Sequence, residues 1–594
     1  MALTNLSIQS AVQQNGGRCR PNLSHEVLAS AKIGQILPIY HQEMIPGDVV
    51  DVNSQMFCRT LPLSVPSYVT LKYRTMSVFV PYHQVADGCE SYFANQQYFK
   101  GKGNRIPVLT QYHLREFFTT SAVSTLKESN VSAADLKNKV FDLALANNSS
   151  ASSSWNTYTF TSFGRYVNKV FHLLGYRFGN RLPYASSGTG QQGRFYNGLP
   201  LLAFAHAYNS FLSYAPKYNT SGLSATLESI KRAENAVISI SHLTTIFSNI
   251  LLTYEESFIT TLWQNPESST PGQTSGFRQT DNLEKMIGLG DLTMGRTSYG
   301  YQDGTQVTLP DGQANVLTAQ QVRLLLKYDQ FFRRSNFAGS RDIEKIYSQF
   351  GVKIEDYKTR YPIFLSESTD IVNIGDVTSQ SDTVSQEAGQ TSRGASLGSY
   401  AGKAIGDGNS GFHFQSNDYG MLFTFAWFAP KPLYYQGCDK ENLRIDPFDF
   451  YTPQLDQSLM CPVLAAQISE NIENPFYAFG YAPLYSEYLY HNDIICGDFE
   501  YFKGFEAWHF GRNLDPYQWQ QYVAQTDFLI YMGNTGTEFE RIFNIENTDE
   551  LDVDSLYMTI HNSVKSSRPM RDMTGKTGLM PGNVHVADNG NNVN

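Results

Sequence analysis

The amino-acid sequence predicts a mainly β protein in which strands from both ends of the chain enclose a long helical and loop-rich middle. Three observations support this fold class. Residues Gly47 to Tyr82 alternate in the period-2 pattern of strands. The segments Gly411 to Phe428 and Phe476 to Phe502 are dense in Tyr and Phe and are bounded by prolines. The intervening sequence carries helix caps and low-complexity loops. We expect the terminal β regions to pair into one domain with large insertions.

The composition is rich in aromatic residues and poor in charge. Of 594 residues, 13% are aromatic and 17% are charged, against about 25% charged in average proteins. Such a chain can bury a large core but has few charges for its surface, so we expect part of that surface to be covered by other protein. A net charge of −10 excludes a polybasic nucleic-acid binder, because the whole protein repels phosphate. Any contact with nucleic acid must be local.

The cysteines and the apolar runs indicate where the protein is made. Six cysteines without a CxxC pair predict reduced, mostly buried thiols and no Cys-rich zinc site. The first residues lack a basic start followed by an apolar run, so we expect no secretory signal. No stretch approaches the ~18 apolar residues of a membrane helix. These features favour a protein of a reducing compartment.

The first elements are predicted to be an arm and then a strand. Residues 1–40 are mixed in character, contain Arg18 and Arg20, and are interpreted as an N-terminal arm. Residues Val69 to Val80 have apolar or β-prone side chains on both faces, which predicts a strand covered on both sides. Residues 41–594 are predicted to form one domain with insertions.

The middle of the chain is predicted to be helical. Ser132 and Asp135 form a capping signature before apolar residues at helical spacing that reach Ala144. Thr318 with Gln321 is a second such signature, and a short helix is expected from Arg341 to Phe350. The further segments predicted here are a helical and loop insertion (84–235), a surface protrusion (264–316), a Gly/Ser-rich loop (379–411) and a C-terminal tail (565–594).

Several motifs look chemical but lack the required setting. Gly188 to Gly193 and Gly406 to Gly411 both fit GxGxxG, yet neither lies between a strand and a helix as a dinucleotide site requires. Gly394 to Gly398 fits GxSxG within low-complexity sequence, where no nucleophile elbow is expected. Gly575-Lys576-Thr577 resembles the end of a phosphate loop whose first glycine is absent.

The acidic and histidine residues also give no convincing catalytic set. Asp498 and Glu500 share one face of an expected strand, which is a weak basis for a glycosidase pair. The histidines show no metal-ligand spacing, and His413 and His509 are interpreted as satisfied core or interface residues. We therefore predict no catalytic residue, no cofactor and no metal site.

Three small basic clusters are the candidate DNA contacts, because single strands are bound by local positive charge together with stacking. The first and the last lie near the chain ends; the middle one directly follows Tyr98 and Phe99. The alternative is that they are ordinary solvated charges or form ion pairs between subunits. The candidates are Arg18, Arg20, Lys100, Lys102, Arg105, Arg568, Arg571 and Lys576.

A series of short motifs occurs in a specific order along most of the chain. They are Pro46-Gly47-Asp48, Arg59-Thr60-Leu61-Pro62-Leu63, Val78-Phe79-Val80-Pro81, Tyr254-Glu255-Glu256-Ser257-Phe258, Gly339-Ser340-Arg341, Phe350-Gly351-Val352, Tyr361-Pro362, Tyr434-Tyr435-Gln436-Gly437, Phe479-Gly480-Tyr481, Gly497-Asp498-Phe499, Trp508-His509 and Arg568-Pro569-Met570. In order and spacing they resemble the major capsid protein of microviruses, the small icosahedral phages with circular single-stranded DNA. Two positions depart from the family pattern, His83 and Asn417-Asp418.

The resemblance implies a single eight-stranded antiparallel jelly roll of the viral capsid type with long insertions. It implies a structural subunit without catalysis, which self-assembles into the smallest icosahedral shell around the DNA. The implied partners are other copies of the chain, the genome, a small basic DNA-packaging protein, and minor pilot or spike proteins. The implied location is the virion, assembled in the bacterial host cytoplasm.

Two other functions remain open from the residues alone. A secreted or surface glycan-binding protein could use the many Tyr and Trp side chains as platforms, but we expect no secretion signal. A glycosidase would need a better carboxylate pair than Asp498 and Glu500.

Overall fold

The structure is a computed structural model, and it describes residues 18–65, 67–89, 92, 106–147, 154–184, 194–213, 221–233, 237–250, 255, 257–259, 262, 362–378, 384–387, 390–393, 400–444, 449–453, 460–469, 478–501, 503–512, 539–543 and 553–569.

Strands dominate these residues. In chain order they are β1 His25–Ala31, β2 Leu37–Met44, β3 Val49–Thr60, β4 Leu71–Pro81, β5 Val108–Thr110, β6 Ser124–Ser132, β7 Leu143–Ala146, β8 Ser154–Phe160, β9 Arg181–Leu182, β10 Phe195–Asn197, β11 Ile363–Thr378, β12 Val384–Glu387, β13 Gln390–Arg393, β14 Tyr400–Gln415, β15 Gly420–Pro430, β16 Met460–Leu464, β17 Ala478–Pro483 and β18 Leu556–Ser567. The helices are α1 Tyr82–Val85, α2 Gln111–Phe118, α3 Ser162–Leu173, α4 Leu199–Ala207, α5 Ser221–Arg232, α6 Ile240–Ser248 and α7 Asp498–Tyr501.

One large antiparallel sheet organises the molecule. Its eight strands follow the order β1-β18-β3-β14-β11-β4-β15-β2 and form a nearly closed jelly roll. Except where β14 meets β11, each pair of neighbouring strands joins one strand from residues 25–81 to one from residues 363–567. The predicted fold class and the predicted pairing of the two terminal β regions are therefore confirmed.

The amino-acid pattern of each strand reflects how many of its faces are covered. In β3 and β18 buried and exposed residues alternate, because one face packs inward and the other meets solvent. In β15 all eleven residues are buried. Leu422 packs with Val50 and Val564 inside the roll, whereas the Phe425 ring lies 5.7 Å from the Phe204 ring of α4.

A helical layer provides that second cover. Helix α3 contacts β2, and α4 contacts β4 and β15. At the start of α3, the Thr161 side chain accepts a hydrogen bond from the Gly164 amide. A Cβ at Gly164 would lie 1.9 Å from the Val123 carbonyl oxygen, so only glycine permits this close approach. A small sheet of order β6-β8-β7-β9 adjoins the layer.

The prediction of an N-terminal arm over residues 1–40 is wrong from His25 onward. Strand β1 and the first half of β2 lie in this segment and belong to the large sheet. Their partners are β18 and β15, which lie hundreds of residues later. These strands form because of pairing with distant partners, and their own residues show only a weak strand pattern.

The helix predicted after Ser132 is also wrong. The cap exists, since the Asp135 amide donates to the Ser132 hydroxyl at 3.2 Å. It starts only a single 3-10 turn, Asp135–Asn138, and Leu143–Ala146 then form the buried strand β7. Pairing of β7 with β8 and β9 outweighs the helical spacing of these apolar residues.

Two further predictions need correction. Within the predicted loop 379–411, β12 pairs with β13 and β14 begins at Tyr400. The second glycine motif therefore lies inside a strand, where Val372 and Tyr73 pack closely over Gly406 and Gly408. In the predicted C-terminal tail, residues 565–567 belong to β18.

The aromatic segment from Phe476 to Phe502 is mostly not β. Only β17 is a strand among its described residues, and short helical turns follow it. Asp498 and Glu500 lie in α7, not on a strand. Several predictions lie outside the described residues. They are the helices at Thr318 and Arg341, the protrusion 264–316, and the glycine motifs Gly188 to Gly193, Gly394 to Gly398 and Gly575-Lys576-Thr577.

Candidate nucleic-acid interface at the chain ends

The two ends of the described chain run side by side. Strands β1 and β18 pair from His25 with Asn562 to Ala31 with Leu556. The same register continues beyond β1, through a bridge between Asn22 and Lys565 and another between Cys19 and Arg568. The sheet thus brings Arg18, Arg20 and Arg568 to one place, although they lie at opposite ends of the sequence.

Arg18 fastens the chain ends together. Its Nε donates to the Ser567 hydroxyl at 2.9 Å, and its Nη2 donates to the carbonyl oxygens of Gly47 at 2.8 Å and Ser567 at 2.9 Å. The neighbouring backbone bridge has N–O distances of 2.9 and 2.8 Å between Cys19 and Arg568. These bonds occupy much of the Arg18 guanidinium, so its first role is structural.

Arg568 lies beside the buried carboxylate of Asp48. Its Nη2 donates to the Glu43 carbonyl at 3.0 Å, and its Nε lies 3.6 Å from Oδ2 of Asp48, whose side chain is fully buried. Burial raises the pKa of the Asp48 carboxyl, while the Ile45 amide and then Arg568 oppose that shift. Arg568 therefore offsets part of the cost of burying a negative charge.

Two exposed cations remain beside these anchored arginines. Arg20 is exposed next to the bridge at Cys19, and Lys565 is exposed on β18. Sequence reasoning missed Lys565 because it lies within a strand and not in a basic cluster. The alternation of residue types along β18 could have identified Lys565, because every second residue of this strand faces outward. The other candidates, Lys100, Lys102, Arg105, Arg571 and Lys576, lie outside the described residues.

The histidines singled out in the sequence have different surroundings. His509 is buried; its Nε2 lies 3.1 Å from the Phe499 carbonyl and its Nδ1 accepts from the Gly511 amide at 2.9 Å. Burial lowers the pKa of His509, and its interpretation as a satisfied core residue is confirmed. His413 is instead exposed and pairs with Asp51, so a core position is wrong for it.

The two departures from the family pattern contact each other. Nδ1 of His83 lies 2.8 Å from Oδ2 of Asp418. His83 follows the end of β4, and Asp418 lies in the turn before β15, so this pair joins two neighbouring strands of the sheet.

The cysteines are free thiols. Cys58 and Cys89 are buried, Cys19, Cys438 and Cys461 are half-buried, and Cys496 is exposed. Burial raises the pKa of Cys58 and of Cys89 to about 12, so both are protonated and unreactive near neutral pH.

One cavity, lined by Arg444, Glu487 and Tyr488 among others, has a volume of about 120 Å³. The Arg444 guanidinium lies 4.2 Å from the centre of the Tyr488 ring and 3.7 Å from the Glu487 carboxylate. Asn492 donates to Asp439 at 2.7 Å. The lining carries both signs of charge, largely paired within itself, and does not present the aligned acid and base of a catalytic site.

The described part of the chain groups no metal ligands and has no membrane-spanning helix. In it, no group of three or more His, Cys, Asp or Glu side chains is placed to hold a metal ion together. None of its helices has both the length and the apolar character needed to cross a membrane.

Comparison with known proteins matches the chain to a single family over most of its length. The family model described as "Capsid protein (F protein)" matches residues 10–112 and 193–571. The chain is also similar to the capsid protein VP1 of Chlamydia phage 1, with 21% identity over 531 residues, covering 82% of this chain and 86% of that protein. The unmatched stretch between the two segments contains β6 to β9 and α3.

The family match covers all eight strands of the large sheet and both sides of the bridge between the chain ends. It makes this protein structural and not enzymatic, and it makes the protein a component of the virion that is assembled in the host. The chain belongs to the capsid protein (F protein) family, the major capsid proteins of microviruses.

Proposed function

We propose that copies of this chain form the smallest icosahedral shell around circular single-stranded DNA, and that both chain ends lie on the inner side and touch the genome. Membership of the capsid family supports self-assembly. The observation that carries the DNA contact is the bridge between Cys19 and Arg568. This bridge gathers cations from both ends of the sequence at one place, although the protein as a whole is acidic.

The contacts of these cations suggest two different roles, one structural and one in binding DNA. Arg18 and Arg568 hold the chain ends to Gly47, Ser567 and Asp48. Arg20 is exposed, and Arg571 follows the bridge by three residues in the sequence. We infer that Arg20 and Arg571 contact phosphates, and that Arg18 and Arg568 position them.

A further partner follows from the charge. With a net charge of −10, a shell of these subunits cannot neutralise the genome it encloses. A separate small basic protein supplies most of the neutralising charge, and the shell cations add local contacts. Minor pilot or spike proteins complete the particle. No observation favours the alternative of a glycan-binding module.

The test removes the two phosphate-contacting arginines together. Arg20→Ala with Arg571→Ala should lower the DNA content of purified particles. It should also reduce the slope of DNA release against the logarithm of salt concentration, by about 0.7 for each phosphate that these arginines no longer neutralise. The matched control is Arg181→Ala with Lys137→Ala, two exposed cations distant from the chain ends in the sequence.

The anchoring arginines should behave differently. Arg18→Ala with Arg568→Ala should lower the thermal stability of the subunit, because Asp48 then remains buried without its neighbouring cation. An unchanged DNA content and salt slope in the Arg20 and Arg571 variant would contradict the proposed contact with the genome.

A further inference from the structure

A small cavity lies between the helices α1, α4 and α5. These three helices contact one another, and α4 also contacts β4 and β15 of the large sheet. The cavity has a volume of about 60 Å³, and its wall includes Gln84 of α1, Leu202 and His206 of α4, and Glu228 and Lys231 of α5. We call this space the helix cavity.

An unusual turn supplies a further residue of the wall. The chain leaves α4 through a π-helical turn, Tyr208–Leu212. The Ser213 amide donates to the Tyr208 carbonyl at 2.9 Å, a step of five residues where an α-helix steps four. Such turns are rare and are frequently found at functional sites. This turn carries Asn209, which follows His206 by three residues, and both side chains line the helix cavity.

Two buried polar atoms of the wall form no hydrogen bond with any described residue. They are Nε2 of His206 and Oδ1 of Asn209. A buried polar atom without a partner destabilises the fold, and the large majority of such atoms in folded proteins are bonded to protein or to ordered water. Two of them in the wall of one cavity therefore indicate a bound molecule that satisfies both.

The charged residues of the wall have partners within the chain. Glu228 accepts a hydrogen bond from Arg232 at 2.7 Å. Nζ of Lys231 lies 3.9 Å from Oδ1 of Asp87. The atoms that still require a partner are therefore the neutral polar ones.

Water suits these atoms better than an ion does. An anion could not pair with Oδ1 of Asn209, because an amide oxygen only accepts. Burial and then the charge of Lys231 lower the pKa of His206 to about 4, with Glu228 opposing the shift, so the site disfavours a further positive charge. Water can donate to Oδ1, and it can donate to Nε2 or accept from it in either tautomer of the ring.

The size of the helix cavity also selects water. One water needs about 10–15 Å³ of such volume. A volume of about 60 Å³ therefore has room for about four waters. Pockets for small organic ligands are much larger, at about 300–1,000 Å³.

We propose that the helix cavity is a binding site for ordered water, in which water molecules form hydrogen bonds with Nε2 of His206 and Oδ1 of Asn209. These waters link α4 and the turn after it to α1 and α5. They are thus a structural part of the helical layer over β4 and β15. The site lies within one subunit and does not depend on shell assembly or on DNA.

The direct test is an experimental structure of the full-length protein at a resolution that shows buried waters. Density should lie about 2.7–3.2 Å from Nε2 of His206 and from Oδ1 of Asn209. A peak about 2.0–2.2 Å from Nε2 would identify a metal ion instead. An empty cavity would show that both atoms are left unsatisfied. Either of these two results overturns the inference.

The second test compares two neighbouring leucines of α4 in solution. Leu201 is 0% exposed and Leu202 is 1% exposed, but Leu202 lines the helix cavity and Leu201 does not. In methyl-labelled wild-type subunits, nuclear Overhauser transfer from water should be at least threefold stronger to Leu202 than to Leu201. Equal transfer to the two leucines would contradict the water site.

A double variant assigns the water to the two polar atoms. His206→Phe with Asn209→Leu removes both, so the transfer from water to Leu202 should be lost. Transfer that persists unchanged in the folded variant would overturn the assignment. If this variant fails to fold, the comparison of Leu202 with Leu201 in the wild type still decides.

Discussion

The two halves of the eight-stranded sheet differ in how they are covered. Every residue of β15 is buried, whereas β18 alternates buried and outward-facing residues along its whole length. The helical layer lies over β15, β4 and β2, and no described helix packs extensively on β18 or β3. The insertion in the middle of the chain thus completes one half of the sheet within the subunit. In the other half, β3 and β18 keep one face outward in the described part of the chain.

This difference has a direct energetic meaning. A side chain in the covered half contributes its full burial to the stability of the isolated subunit. A side chain on the outward face of β3 or β18 contributes less, because it stays partly exposed. Mutations in the two halves should therefore differ in their cost to folding.

The largest expected effect comes from replacing one phenylalanine in each half. Phe425 is fully buried and packs against Phe204 and Phe423, so Phe425→Ala should lower the free energy of unfolding by about 3–5 kcal/mol. Phe57 is 40% exposed, so Phe57→Ala should cost less than about 1 kcal/mol, mainly the contact with Arg59. Denaturant titration of unassembled subunits measures both, and similar losses would contradict the distinction between the halves.

The second effect is a pH dependence that originates in the helical cover. Burial lowers the pKa of His206 on α4 to about 4; Lys231 lowers it further and Glu228 opposes the shift. The unfolded chain therefore binds the proton more tightly, and stability is greatest above pH 6.5 and falls as the pH decreases toward 4. The loss over this window is on the order of 3 kcal/mol.

His206→Gln tests this origin, because glutamine stays polar but does not titrate. Thermal unfolding between pH 7 and pH 4.5 should show a smaller decline for this variant than for the wild type. His561→Gln, at an exposed position on β18, is the control. An identical decline in wild type and His206→Gln would assign the acid sensitivity to other groups, among them His41 and His509, whose pKa values burial also lowers.

The smallest expected effect contrasts the two faces of a single strand. A Cβ at Gly408 of β14 would lie 2.7 Å from the Tyr73 ring, whereas at Gly411 its nearest neighbour is the Val52 carbonyl oxygen at 3.4 Å. Gly408→Ala should cost about 1–3 kcal/mol through overpacking. Gly411→Ala should change stability by a few tenths of a kcal/mol. Thermal unfolding of the subunits gives the comparison, and equal shifts would mean that Tyr73 moves aside without cost.

The sequence predicts the parts of the fold whose signals are local. The alternation from Val69 to Val80 identifies β4, and the continuous apolar run after Gly420 matches a strand covered on both faces. Strand β14 escapes prediction because its glycines resemble a linker. They are explained only by the side chains of Val372 and Tyr73, which come from distant parts of the chain.

The candidate DNA contacts show the same limit. The positive charges of Arg18, Arg20 and Arg568 are visible in the sequence, and so is their proximity to the chain ends. The sequence does not show which of these arginines already forms hydrogen bonds within the chain. Arg18 donates to Ser567 and Gly47, and only the register of β1 with β18 brings Ser567 close to it. Physical proximity between sequence-distant strands is the information that a local pattern lacks.

The pairing of β1 with β18 also determines when the subunit can finish folding. His25 meets Asn562, 537 residues further along the chain, so the ribosome releases β1 long before its partner exists. Strand β3 likewise pairs with β14 and β18, which are synthesised much later. During that time these early strands have unpaired edges and uncovered apolar faces, which favours aggregation. Completion of the roll is therefore a post-translational event, and a cell that makes many copies at once must keep the growing chains apart until their last strand emerges.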